Sequence, residues 1–201
     1  MGFFSRGRRT EEPDETSADP VKAPPAARLS VVEFWTADQR QIVGIDLSHE
    51  RLTDLLNREG SIRVAMLDMV PEDRSLQVDV RPDLRWANLA VDDSLLVFPP
   101  PQASDPHRRL HRPRQPVEIA IGPFEIVGSA HIPPGAQAAG FLMRQSNRFT
   151  AITRVVVRDP QLPGFEQRAD VLLVNLRRIG TIRDVGLGEV PGPASDASAP
   201  R

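Results

Sequence analysis

The apolar pattern of residues 31 to 98 returns in residues 116 to 182. Val32-Glu33 comes back as Val117-Glu118, Ile42-Val43-Gly44 as Ile126-Val127-Gly128, Leu55-Leu56 as Phe141-Leu142, and Val64-Ala65-Met66 as Thr150-Ala151-Ile152. Leu89-Ala90-Val91-Asp92 answers to Leu172-Leu173-Val174-Asn175, so the offsets run from 83 to 86 positions. What such a repeat keeps is mostly the pattern that packs a core, so it constrains architecture more than chemistry. It divides the 201 residues into two modules. At roughly 70 residues each, such modules bury little core and pack on one another or on a second chain.

Proline marks the boundaries. Thirteen of the twenty prolines fall within 1 to 28, 99 to 116 and 188 to 201, which reads as two tails and a connection. The first stretch, with Glu11-Glu12-Pro13-Asp14-Glu15 and Pro24-Pro25-Ala26-Ala27, has too little apolar content to offset the entropy of ordering, as has Pro191-Gly192-Pro193-Ala194-Ser195. The expected organisation is a disordered tail over 1 to 28, a β-rich module over 29 to 98, and a Pro/Arg-rich linker over 99 to 115. A second β-rich module over 116 to 187 and a disordered tail over 188 to 201 complete it. Pro99-Pro100-Pro101, Pro113 and Pro116 make the linker an extended, stiff spacer.

Within each module the periodicity predicts β-β-α-β-β-β. Ser30 to Thr36 with Gln41 to Leu47, and Val117 to Ile121 with Phe124 to Ala130, are hairpins across short polar or Gly-Pro turns. Ser48 to Gly60 reads as an amphipathic helix, with Ser48 as its cap and leucines at i, i+3 and i+4; Ala138, Phe141 and Leu142 repeat that spacing. Ile62 to Val70 and Phe149 to Val157 form third strands, the first so continuously apolar that both faces are expected to be covered. Ala87 to Val91 with Ser94 to Phe98, and Asp170 to Leu176 with Ile179 to Ile182, close the modules. Strands this short make a mainly β (α+β) chain of two small bent sheets or partly open barrels, with Gly44 and Gly128 supplying mid-strand bends.

Together, Ile126-Val127-Gly128, Phe149-Thr150-Ala151-Ile152-Thr153 and Val174-Asn175-Leu176-Arg177-Arg178-Ile179 resemble a family of short bacterial β-rich domains of unknown function. That resemblance implies a single small domain ending in a strand, an Asn-plus-basic turn and a final strand, and no activity. It covers the second module nearly completely; in the first, Asp92-Asp93-Ser94 stands at the turn. The turn-and-strand ending is also similar to the second motif of Sm-like RNA-binding barrels, although here a helix interrupts strands two and three.

Catalytic signatures are absent: there is no Gly-rich phosphate loop, HExxH helix, GxSxG elbow or cysteine. Without cysteine there is neither a disulfide framework nor a thiolate metal site. His107 and His111 stand four apart, yet Pro106 and Pro113 bracket them and arginines surround them, so a solvated linker is expected there. Glu72-Asp73 and Asp92-Asp93 fall at expected turns, where carboxylates serve local hydrogen bonding. No catalytic residue, metal or cofactor is expected.

Met1-Gly2-Phe3-Phe4-Ser5-Arg6 is too short in apolar residues for a signal-peptide core, and no run approaches a membrane span. A soluble, cytoplasmic protein without stable membrane attachment is the expectation. Charge is the remaining signal. Residues 29 to 100 hold 13 acids against 7 arginines, a balance of −6, whereas 101 to 187 hold 12 arginines against 7 acids, a balance of +5. Opposite signs favour module-module or homo-oligomer contact, face to face, steered by charge and held by apolar burial. They also make the second module the landing site for any polyanion, through Arg108, Arg109, Arg112 and Arg114 of the linker with Arg144, Arg148, Arg177, Arg178 and Arg183. The chain lacks tyrosine, and its phenylalanines fit the core pattern, leaving no stacking platform for bases. The sequence therefore reads first as a non-enzymatic binding or assembly protein, and second as a nucleic-acid-binding protein.

Overall fold

The computed structural model describes residues 28–67, 77–81, 83–101 and 113–185. Residues 1–27 of the expected first tail, the second tail, Glu72-Asp73 and most of the expected linker, with His107 and His111, lie outside them, whereas Arg28 belongs to a strand.

Each half opens on a hairpin. β1 (Arg28–Trp35) pairs antiparallel with β2 (Arg40–Ile45), Ser30 opposite Ile45. The Thr36 hydroxyl oxygen closes their turn by accepting the amides of Asp38 and Gln39 at 3.3 and 3.0 Å. β7 (Arg114–Ile121) and β8 (Phe124–His131) turn over only Gly122-Pro123, where the φ of 55° at Gly122 suits a residue without Cβ. β7 begins two residues before the expected module boundary, so Arg114 belongs to a strand rather than to the linker.

Helix α1 (Leu52–Arg58) buries Leu52, Leu55 and Leu56, the expected stripe, but it starts later than Ser48 suggests. The Ser48 amide instead donates to Asp46 Oδ1 at 2.9 Å, a local turn that competes with helix initiation. That amide, followed by the Ser48 hydroxyl, holds the Asp46 carboxyl below its ordinary range. α2 (Ala138–Met143) repeats the stripe with Ala138 and Leu142 buried.

In β3 (Ser61–Met66) Ile62 and Val64 are buried on one face, whereas the other face is exposed at Ser61 and Arg63 and covered at Ala65; residues 68–70 of the apolar run lie outside the described residues. β4 (Gln77–Asp79), which the sequence did not suggest, pairs with the start of β1. β5 (Trp86–Ala90) runs into a 3-10 turn at Val91–Asp93 and then β6 (Leu96–Phe98). The second half follows the same course: β9 (Phe149–Arg158), β10 (Glu166–Asn175), a 3-10 turn at Leu176–Arg178, and β11 (Ile179–Asp184).

The chain is mainly β. Its strands join into one open antiparallel sheet in the order β11-β7-β8-β9-β10-β6-β1-β2-β3-β5, with β4 beside β1. The halves thus share a sheet instead of standing as two, and they meet edge to edge rather than face to face: Leu173 and Val174 of β10 pair with Val97 and Leu96 of β6. Their cores interpenetrate as well. The cluster built on β7 to β10 takes in Trp35, Leu95, Leu96 and Phe98, and the cluster built on α1 and β1 to β3 takes in Phe149 and Leu173. Among the described residues no helix is long and apolar enough to cross a membrane.

Both mid-strand glycines sit at crowded points. β8 slips register against β9 between Val127 and Ser129, a bulge at Gly128. A Cβ there would lie 2.6 Å from Ile152 Cγ2 and 3.2 Å from the Thr153 carbonyl oxygen; at Gly44 it would lie 2.9 Å from Leu29 Cδ1. Ile152 is fully buried, so it has nowhere to move. Gly128→Ala is expected to cost about 1–3 kcal/mol in urea unfolding, as overpacking does. Gly60→Ala, with nothing within 4 Å of the new methyl, should change stability by no more than about 0.5 kcal/mol. Equal effects at the two positions would remove steric crowding as the reason for Gly128.

Candidate interaction surface

Nine arginines were candidates for the polyanion contact; of these Arg144, the residue after α2, is exposed, and Arg183 is paired with Glu118 of β7 at 2.8 Å. Arg108, Arg109 and Arg112 lie outside the described residues. Arg114 is the exposed first residue of β7, opposite His131. Arg177 and Arg178 occupy the 3-10 turn before β11, and they do different things. Arg178 turns to the first half: its Nε donates to the Asp92 carbonyl at 3.0 Å and its guanidinium stands 3.4 Å from the Asp93 carboxylate. The Arg177 amide donates to Asn175 Oδ1 at 3.1 Å, while its exposed guanidinium has no hydrogen bond or ion pair among the described residues.

The junction between the halves draws in more polar groups than these. Asn175 is 1 % exposed; its Nδ2 donates to the Ser94 carbonyl at 2.8 Å and its amide to the Leu95 carbonyl at 3.0 Å. The Arg148 guanidinium, one end of a side chain only 10 % exposed, donates to the Glu59 carbonyl at 2.6 Å and lies 3.0 Å from Asp92. A cation at the end of a helix satisfies carbonyls that the helix cannot, and Arg148 does this for α1 from the opposite half. Asn57 of α1 reaches the other way: its Oδ1 accepts the Phe149 amide at 2.7 Å and its Nδ2 donates to the Phe149 carbonyl at 3.1 Å. Asp92 and Asp93 are turn residues, as the sequence suggested, and both are engaged by arginines of the second half.

Asn57, Asn175 and the Trp35 environment are what residue typing alone passes over. Trp35 packs at a tilt against Phe98, Phe124 and Phe165, with ring centroids 4.8, 5.2 and 5.7 Å away. Its indole N–H donates to the carboxylate of Glu33, which is 2 % exposed and also forms an ion pair with Arg40. A buried indole needs such a partner, and a buried carboxylate needs its cation.

An open depression of about 430 Å³ lies beside β3 and β5, lined by Leu55, Ile62 and Trp86 with the polar residues Asp46, Glu59 and Arg63. Those groups are occupied with neighbours: Glu59 pairs with Arg58 at 2.8 Å, and the Arg63 guanidinium stacks 4.7 Å from the Trp86 ring. Among the described residues no three His, Asp or Glu side chains gather as metal ligands. The polar groups that converge do so on the junction. No protein-family model, curated protein or solved structure matches this chain.

Proposed function

We propose that this chain is a non-enzymatic binding and assembly element, built as two copies of one β-β-α-β-β-β module that join by strand edges. The observation that carries the reading is the junction of β6 with β10, across which each apolar cluster takes in residues of the other half.

Pairing registers support the two-copy part. The strand order β6-β1-β2-β3-β5 maps onto β11-β7-β8-β9-β10. One offset of 85 carries Glu33 opposite Phe98 onto Glu118 opposite Arg183. It also carries the donor Val91, whose amide bonds Gly60, onto the donor Leu176, whose amide bonds Arg148, while the acceptor segment carries three more residues. A module whose edges pair in fixed register is a device for joining, because backbone ladders set geometry while apolar burial supplies the stabilisation.

The alternative, a nucleic-acid-binding protein, keeps Arg114, Arg144 and Arg177 among the described contact residues, since Arg148 and Arg178 are committed to the first half and Arg183 is paired with Glu118. Cutting the folded chain at a protease site introduced within residues 102–112 separates the readings. The two pieces are expected to stay together on size exclusion, and the cut protein to leave single-stranded RNA unbound at low salt. Pieces that part without denaturant would end the assembly reading. RNA binding that falls steeply with salt would replace it with the alternative.

A further inference from the structure

The junction between the halves is heterologous: it joins the β6 side of one half to the β10 side of the other. A contact of this kind always leaves one unused copy of each side, at opposite ends. Here those ends are β11, the counterpart of β6, and β5, the counterpart of β10, and both are terminal in the sheet. From this, and resting on the two-module reading above, we propose that a second copy of this chain pairs its β11 edge with β5 of the first, continuing the sheet head to tail.

The backbone is arranged for it. Val91 donates to Gly60 and Met66 to Arg85, which turns Leu89 and Ala87 toward β3 and leaves the N–H groups of Asn88 and Ala90 on the outer edge. On β10 the groups turned to β6 are those of Leu173 and Asn175, 85 positions further on. At the other end, Val185 donates to Pro116, so Ile182 faces outward, and Ile182 stands 85 positions from Val97, the partner of Leu173. The internal register therefore transfers directly: Asn88 comes opposite Ile182, and Leu89 opposite Thr181.

Side chains agree. The 3-10 turns that touch within the chain would touch again between chains, setting Asp92-Asp93 of one copy beside Arg177-Arg178 of the next, and the Arg177 guanidinium is uncommitted among the described residues. Met143, in the helix position that matches Asn57, is 61 % exposed and would gain cover. Each contact also places a half of balance −6 against one of +5.

The test uses the intact chain. Its mass in solution, by light scattering and native mass spectrometry, should exceed the 22.2 kDa of one copy. Asn88→Pro removes an outward N–H without breaking the β3 ladder, so it should return the protein to one-copy mass with unchanged circular dichroism. A second arm covers the case in which that variant misfolds. The chain has no cysteine, and Leu89 with Thr181 would form a non-hydrogen-bonded pair close enough for a disulfide. Leu89→Cys mixed with Thr181→Cys should give an oxidised two-chain product at least tenfold above either variant alone. A wild-type chain of one-copy mass, an Asn88→Pro protein that is folded and still associated, or no excess of the mixed product would each overturn the proposal. A one-copy chain whose cut halves nevertheless hold together would overturn this inference alone and leave the two-module reading standing.

Discussion

Trp35→Ala is expected to lower the stability of the whole chain by about 3–5 kcal/mol, the range for truncating a large buried aromatic. The residue stands in β1 of the first half but is 3 % exposed within the apolar cluster of the second, against Phe98, Phe124 and Phe165. Removing it opens a cavity at the junction and deprives buried Glu33 of its indole donor. For a chain of this size that corresponds to a melting temperature lower by on the order of 10 °C. Because the cluster spans both halves, the loss should appear as one displaced transition by circular dichroism and calorimetry. Trp35→Phe, which keeps most of the packing and loses the N–H donor, should cost less. Two separate transitions in the alanine variant, one of them at the wild-type temperature, would show that the halves do not share a core.

Much of this fold is legible in the sequence, and the misreadings have identifiable causes. Hairpins, helix stripes and apolar strands follow from periodicity and turn chemistry, and the bulge at Gly128 was expected of a mid-strand glycine. Ser48 misleads as a cap because its amide is satisfied locally by Asp46. The apolar pattern matches Leu89-Ala90-Val91-Asp92 to Leu172-Leu173-Val174-Asn175 at an offset of 83, whereas the two-module proposal, which aligns the backbone donors Val91 and Leu176, needs 85. A slip of two residues in a strand leaves every side chain on the same face, so an apolar pattern cannot detect it.

The junction is the least legible part. Its strand pairing is backbone to backbone, and its side chains are single polar residues such as Asn57, Asn175 and Arg148, whose partners lie 81 to 92 positions away. Charge balance suggests attraction between the halves. It could not say that they meet by their edges, since Arg148 and Arg178 reach only two carboxylates, both on one turn. Such partly exposed pairs steer and orient, and burial supplies the larger share of the stability.

Phe149→Ala should be as costly as the change at Trp35, about 3–5 kcal/mol, and for the converse reason. Phe149 opens β9 in the second half but is fully buried in the cluster of the first, among Leu56, Ile62 and Val97. Its backbone is held from across the junction by both ends of the Asn57 amide. Asn57→Ala keeps the ring and removes that clamp, leaving an amide and a carbonyl without their partner, at about 1–3 kcal/mol. If ring and clamp work as one unit, the double variant should lose less than the sum, with a coupling of about 0.5 kcal/mol or more by urea unfolding. Strict additivity would mean that the ring fills space independently of the strand position the clamp fixes. Limited proteolysis gives a separate reading of where the damage lies: a Phe149→Ala chain should become sensitive around α1, in the half that the residue itself does not belong to. Sensitivity confined to β9 and β10 would assign Phe149 to its own half and leave β6 with β10 as an interface between two finished cores.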